Sequence, residues 1–132
     1  MGNIILLVAG SRDYSDWEEF CDIMDYICDK YNVSEIVSGG AKGADFMAEK
    51  YSKINNIPIK IFKADWNYYG KSAGFKRNIE MHEYLKRFKD RACICFWDGE
   101  SSGTKHNFKL CEENNTELIV YLYPKHRKII IN

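Results

Sequence analysis

Apolar residues follow two different periods along the chain, and the segments alternate between them. Residues 4–9 form a continuous apolar run, which is typical of a strand buried on both faces of a parallel sheet. Apolar residues then recur at helical spacing from 17 to 31, which predicts an amphipathic helix packed on a core. Ser15 and Glu18 have the spacing of a capping box at the start of this helix, and Asn32 is expected to end it.

The rest of the chain repeats this alternation. The pattern predicts further strands at 35–37, 57–62, 91–97, 117–123 and 129–131, and further helices at 44–55, 75–88 and about 104–114. Ile54 and Ile61 are predicted to face the core, and residues 64–74 are predicted to be irregular. Strands that alternate with helices predict an α/β fold, with a mainly parallel sheet of about five to six strands. The length favours a single domain over residues 1–132.

A glycine-rich stretch joins the second strand to the second helix. It reads Ser38-Gly39-Gly40-Ala41-Lys42-Gly43-Ala44-Asp45. Glycines allow positive φ and a close approach of backbone to ligand, and a helix N-terminus favours an anion. Lys42 adds a positive charge. The alternative is a tight turn that needs small residues for packing. The spacing does not fit a P-loop, which requires Gly-Lys-Ser/Thr after four intervening residues.

The first strand ends in a second polar loop, Gly10-Ser11-Arg12-Asp13. It has one glycine where the dinucleotide fingerprint GxGxxG needs three, which argues against a plain Rossmann dehydrogenase. Arg12 is suited to hold a phosphate or a carboxylate through two parallel hydrogen bonds. Alternatively, it forms a surface ion pair with Asp13 or Asp16.

Two later segments carry similar chemistry. The fourth strand ends in a loop before a helix, Asp98-Gly99-Glu100-Ser101-Ser102-Gly103-Thr104. Since the carboxyl ends of parallel strands share one edge, this loop and the two glycine loops above are expected to meet there. Arg77 stands near the start of its helix, where the dipole disfavours cations. This placement favours a functional role, with a solvated charged face as the alternative.

The predicted irregular segment is rich in aromatic residues, with Trp66, Tyr68 and Tyr69 followed by Lys71. Exposed rings suit a lid that stacks on a nucleobase. The alternative is a segment folded onto the protein surface or onto a partner subunit.

Composition narrows the classes of function. Lys and Arg number 19, as do Asp and Glu, so the net charge of zero argues against a protein that coats nucleic acid by bulk charge. The cysteines number five and show no CxxC spacing, which favours reduced, buried thiols in a cytoplasmic protein, without a metal site. His82 is expected to pair with Glu83 or the backbone. No secretory signal pattern and no apolar run of membrane-spanning length are present.

The loop motifs together resemble the YspA-like branch of the SLOG superfamily, which also holds the Lonely Guy phosphoribohydrolases and the DNA-processing protein A. The resemblance rests on residues 8–14, 38–45, 64–66, 70–74, 77–78 and 96–104. It implies a Rossmann-like three-layer sandwich and a ligand of nucleotide type, bound between the first and fourth strands. It also implies a role in nucleotide signalling or phage conflict, and a tendency to form homodimers.

The resemblance also marks one departure. Lonely Guy enzymes follow their glycine–threonine element with a catalytic glutamate, whereas Lys105, His106 and Asn107 stand here. Hydrolysis of an N-glycosidic bond would need another carboxylate, for which Asp98, Glu100 and Asp45 are candidates.

The sequence thus favours a nucleotide-binding domain without a cofactor. If the protein is an enzyme, a nucleotide N-glycosidase is the expected activity. Single-stranded DNA binding is a further alternative. The residues expected to contact the ligand are Gly10, Ser11, Arg12, Ser38, Gly39, Gly40, Lys42, Gly43, Asp45, Trp66, Tyr69, Lys71, Arg77, Asn78, Asp98, Gly99, Ser102, Gly103 and Thr104.

Overall fold

The computed structural model describes residues 3–123 and 128–131, and its centre is a six-stranded sheet in the order β3-β2-β1-β4-β5-β6. The strands are β1 (Asn3–Gly10), β2 (Asn32–Ser38), β3 (Ile59–Ile61), β4 (Arg91–Trp97), β5 (Glu117–Leu122) and β6 (Lys128–Ile131). All neighbours pair in parallel except β5 and β6. The sequence of residues 124–128, Pro-Lys-His-Arg-Lys, predicts a basic turn, of which 124–127 lie outside the described residues.

Helices cover both faces of the sheet. They are α1 (Trp17–Lys30), α2 (Ala44–Ile54), α3 (Trp66–Tyr69), α4 (Ala73–Leu85) and α5 (Ser102–Asn114), with a 3₁₀ turn at Gly70–Ser72. The inward residues of α1 and α2 pack on one face of the sheet, and those of α4 and α5 pack on the other. The predicted α/β fold, a three-layer sandwich with a mainly parallel sheet, is confirmed.

The order of the sheet positions a crevice. From β1 the chain adds β2 and β3 on one side, then crosses over and adds β4, β5 and β6 on the other. The connections that leave β1 and β4 therefore diverge to opposite faces. This opens a gap at the carboxyl ends of those two strands, which is where α/β sheets bind ligands.

The boundaries of α1 differ from the prediction. The cap is Asp16, whose carboxylate accepts a hydrogen bond from the Glu19 N–H at 3.1 Å, so the predicted Ser15–Glu18 box is wrong. Asn32 does not end the helix but begins β2, because its parallel pairing with β1 starts at that residue.

The segment predicted to be irregular is helical instead. The Asp65 carboxylate caps α3 by accepting the Tyr68 N–H at 3.1 Å, and the chain then passes through the 3₁₀ turn directly into α4. Ile54 and Ile61 are also exposed, at 62% and 38%, contrary to prediction. Because β3 is short and lies at the edge of the sheet, the sheet does not extend far enough to bury these two side chains.

Candidate functional site

A cavity of about 450 Å³ lies at the carboxyl ends of β1 and β4. Its walls come from the loop after β1, the start of α2, the α3–α4 segment and the start of α5. The predicted residues that line it are Gly10, Ser11, Arg12, Asp45, Trp66, Lys71, Arg77, Asn78, Asp98, Ser102, Gly103 and Thr104. Loops far apart in sequence thus meet around one space, as the parallel topology predicts.

A second cavity of about 610 Å³ adjoins the first. It contains the predicted residues Gly40, Lys42 and Gly43, and the two cavities share Arg12, Ala41 and Trp66. The glycine loop therefore faces mainly this outer cavity, whereas Asp45, in the first turn of α2, lines the inner one.

Some predicted residues line neither cavity, namely Ser38, Gly39, Tyr69, Gly99 and Glu100. Ser38 is fully buried, and its hydroxyl donates to the Asp45 carbonyl at 3.2 Å and accepts from the Gly40 N–H at 3.3 Å. Its contacts hold the glycine loop in shape.

Residues that sequence reasoning missed complete the walls. The inner cavity adds Ala9, Asp13, Ala41, Gly74, Phe75, Met81, Ser101 and Asn107, and the outer one adds Phe46 and Glu49. Asn107 could have been found from its place on the buried side of α5, because such a position usually carries an apolar residue.

The glycine loop depends on Gly43, the N-cap of α2, which has φ 74° and ψ −128°. A Cβ atom at Gly43 would lie 2.3 Å from the Ser11 carbonyl oxygen and 2.7 Å from that of Arg12. Gly43 thus allows the loops after β1 and β2 to pack backbone against backbone. Within residues 3–123 and 128–131, no side chain caps the first turn of α2.

The loop after β4 is shaped by Asp98. Its carboxylate accepts the N–H groups of Glu100 at 2.9 Å and Ser101 at 2.8 Å. Ser101 then caps α5 by accepting the Thr104 N–H at 3.4 Å. Burial raises the pKa of Asp98, but the two backbone donors outweigh it and the net pKa is lowered. Asp98 is therefore ionised at neutral pH and is not a proton donor.

A partly buried cation, Arg77, lies opposite these loops. Arg77 donates through Nη1 to the Gly39 carbonyl at 2.5 Å and through Nε to the Asn78 side-chain oxygen at 3.1 Å. Burial lowers the pKa of Arg77, and the positive charge of Arg12 lowers it further. The Asp45 carboxylate raises the pKa of Arg77 and offsets part of this effect. Two arginines near one carboxylate leave this wall positive, which suits an anion.

Asp45 is the buried acid of the site, and it is only 6% exposed. One of its carboxylate oxygens accepts the Ala41 N–H at 3.2 Å. Burial raises its pKa to about 6; Arg77, the Ala41 N–H and Arg12 lower it, while Glu49 raises it. Asp45 therefore changes charge close to neutral pH.

The raised pKa of Asp45 gives a prediction for stability. The folded state binds the Asp45 proton more tightly than the unfolded state does. The stabilisation that results is complete below pH 3.8 and is lost as the pH rises through about 6. The rise in the pKa of Asp45 from 3.8 to about 6 corresponds to about 3 kcal/mol in the free energy of unfolding. In urea unfolding, the natural chain should lose free energy of unfolding between pH 4 and 7. The Asp45→Asn variant should not show this loss, so its free energy of unfolding should rise relative to that of the natural chain. A constant difference between the two proteins would contradict the shift.

Two side chains at the mouth of the inner cavity are arranged for contact with a ligand. The guanidinium carbon of Arg12 lies 5.2 Å from the centroid of the Trp66 ring, and Trp66 is 47% exposed. Among the described residues Arg12 makes no ion pair with Asp13 or Asp16, the alternative considered above. Ser11 is buried, and its hydroxyl lacks a well-formed hydrogen bond within the described chain.

A buried amide network supports the cavity floor. Asn78 and Asn107 both donate to the Gly103 carbonyl, at 3.2 and 3.4 Å. The side-chain oxygen of Asn107 lies 2.9 Å from His82 Nε2. His82 therefore pairs with Asn107 rather than with Glu83 or the backbone as predicted. The network fixes the first turn of α5 relative to α4.

No helix in the described parts of the chain is long and apolar enough to cross a bilayer.

Comparisons with known proteins show to which family the chain is similar. The model of the YspA, cpYpsA-related SLOG family matches residues 4–69. The "Gene 61 protein" of Mycobacterium phage D29 is 34% identical over 110 residues, which cover 76% of this chain and 82% of that protein.

Among solved structures, DNA processing protein A (DprA) from Streptococcus pneumoniae superposes with a TM-score of 0.66 at 16% identity. The match covers 87% of this chain but only 49% of DprA, so the chain spans about half the length of that protein. This likeness shows a shared fold. Because the family model matches half of the chain and the phage protein matches most of it, the chain belongs to the YspA, cpYpsA-related SLOG family.

Proposed function

We propose that the chain binds a nucleotide or nucleotide-derived ligand in the inner cavity. Family membership supports a function related to nucleotides or DNA in general. The observation that carries the finer proposal is the convergence in one cavity of a capped helix N-terminus, a partly buried arginine and an exposed tryptophan.

The phosphate is best accommodated at the first turn of α5. Ser102, Gly103 and Thr104 line the cavity there, and the first turn of a helix offers N–H groups and a positive dipole end. A Cβ at Gly103 would meet nothing within 4 Å, so the backbone is open to a ligand. Arg77 supplies the charge-assisted hydrogen bonds from the facing wall.

The base is best accommodated against Trp66. Its half-exposed ring lines both cavities, and a base stacked on an aromatic side chain gains about 1–3 kcal/mol. A ligand that is bound but not cleaved would make the protein a sensor, the role that the resemblance implies.

Replacement of Trp66 separates the two parts of the ligand. Trp66→Ala should weaken nucleotide binding by about 5- to 150-fold, which corresponds to the loss of one stacked base. Inorganic phosphate should bind equally well to both proteins, because it contacts only the helix turn and the cations. Calorimetric titration measures both affinities. Equal losses for nucleotide and phosphate would show that Trp66 does not contact the base.

A thermal-shift screen tests the proposal itself. The ligands are nucleoside monophosphates, NAD, ADP-ribose, cyclic nucleotides and a short single-stranded oligonucleotide. A ligand at about 100 times its Kd should add about 2.7 kcal/mol of stability. Stabilisation by the oligonucleotide alone, with a steep dependence on salt, would replace the proposal with single-stranded DNA binding.

One observation favours a second function, hydrolysis of an N-glycosidic bond. Asp45 and Asp98 both line the cavity, and their pKa values are shifted in opposite directions. Such a pair is typical of an acid and a carboxylate in one active site. Glu100, the other predicted candidate, lies outside the cavity. Chromatography after incubation should then detect free base, and Asp45→Asn should abolish its release. Intact nucleotide after long incubation would exclude this function.

A further inference from the structure

A buried cluster of soft ligand atoms lies beneath the cavity floor, outside the proposed nucleotide site. His82 on α4, Cys93 on β4 and Cys111 on α5 each offer one ligand atom, and these atoms all lie within 4.8 Å of one another. The three residues are at most 2% exposed. They come from three elements, so folding alone brings them together.

The hydrogen bonds of His82 leave one ring nitrogen without a partner. Nε2 lies 2.9 Å from the Asn107 amide oxygen, which can only accept, so Nε2 carries the proton. Nδ1 then holds a lone pair, is buried, and has no hydrogen-bond partner among the described residues. An unpaired buried nitrogen is costly. A histidine that donates its other ring N–H to an amide or carboxylate oxygen is the usual arrangement of a metal ligand.

A third sulfur, that of Cys95, lies next to the cluster. The Sγ atoms of Cys93 and Cys95 are 3.7 Å apart, close to the separation of about 3.8 Å for two thiolates on a tetrahedral zinc. Within the cluster of His82, Cys93 and Cys111, each pair of ligand atoms must approach to about 3.6–3.8 Å for the same geometry. Given the 4.8 Å limit above, that movement is about 1 Å or less per pair, within the reach of side-chain rotation.

We propose that His82, Cys93 and Cys111 bind a thiophilic d¹⁰ cation, Cu(I) or Zn(II), with Cys95 available as a fourth ligand. Thiolate and imidazole together select these ions over Mg²⁺ or Ca²⁺, which prefer oxygen. Met81 and Asn107 line the inner cavity and adjoin His82. The ion would therefore tie α4 and α5 to β4 directly below the nucleotide site.

The experiment measures metal binding by the full chain, purified with reductant. Zn(II) is titrated against a chromophoric chelator, and Cu(I) against a Cu(I) chelator without oxygen. We expect one equivalent to bind. His82→Gln and Cys111→Ser should each weaken binding by about 100-fold or more, beyond the effect of changing an outer partner. Cys21 and Cys28, which lie on α1, provide the matched controls, and Cys21→Ser and Cys28→Ser should bind normally.

Cys95→Ser distinguishes the two ions, because a closed zinc site has four protein ligands and should bind more weakly without one of them, whereas three-coordinate Cu(I) should be retained. Alkylation followed by mass spectrometry, with and without added metal, adds a test on the natural chain: the metal should slow the alkylation of Cys93 and Cys111 and leave the rate at Cys21 unchanged. Binding that survives in His82→Gln and Cys111→Ser, an absence of binding by the natural chain, or a Cys93–Cys111 disulfide in the purified protein would each overturn the proposal.

Discussion

Replacement of Arg77 by glutamine is expected to weaken nucleotide binding by about 10- to 150-fold. Arg77 is a partly buried cation that lines the inner cavity, and a hydrogen bond to a charged group contributes about 1.5–3 kcal/mol. Glutamine keeps a polar side chain that can still donate to the Gly39 carbonyl, the present partner of Nη1. It removes the charge that would meet the phosphate.

Arg87 offers the matched control for this change. It follows the same helix, and its guanidinium lies over the Tyr84 ring at 5.6 Å, away from both cavities. Arg87→Gln should leave the affinity unchanged. Calorimetric titration of the two variants with the same nucleotide measures the difference, and far-ultraviolet circular dichroism confirms that both are folded. If both variants lost the same affinity, the effect would be one of net charge rather than of the site.

Gly43→Ala is expected to be the most destabilising small substitution in the loops. The methyl group would meet the Ser11 and Arg12 carbonyl oxygens at 2.3 and 2.7 Å, and both belong to backbone that cannot move aside locally. The strained backbone conformation costs about 1–3 kcal/mol, and overpacking adds about 1–3 kcal/mol more. The loops after β1 and β2 should separate, so nucleotide affinity should fall as well.

Gly70→Ala isolates the packing part of this effect. Gly70 has φ 59° and ψ −133°, nearly the conformation of Gly43, but a Cβ there would meet nothing within 4 Å. It should cost only the backbone strain. Urea unfolding gives the free energy of both variants. Equal costs would show that the loop after β1 yields to the methyl group and that the close packing does not matter.

The sheet was predictable because its central strands are long and apolar. Residues 4–9 and 91–97 form such runs, and both proved to be central strands of the sheet. The helix α3 was not predictable from periodicity, because four residues do not complete a repeat. Only Asp65 marked it, as a cap. Ile54 shows the opposite failure, since its spacing continues the apolar face of α2 beyond the point where the sheet ends.

The site was predictable as a meeting of loops but not in its detailed geometry. Parallel topology brings the ends of β1, β2 and β4 together whatever their sequence. The state of each acid depends on contacts that no spacing reveals. Asp98 is held ionised by two backbone N–H groups, whereas Asp45 is buried and its pKa is raised. Asn107 and Met81 entered the cavity floor through the packing of α4 and α5.

The most direct test of the central claim is an NMR titration of the ¹⁵N-labelled chain with the tightest-binding nucleotide from the screen. The largest shifts should fall on the backbone N–H groups of Ser102 and Gly103 and on Arg77 Nε. Ring protons of Trp66 should move with the base and stay fixed with inorganic phosphate. Shifts confined to the opposite edge of the sheet, with the first turn of α5 unchanged, would contradict it.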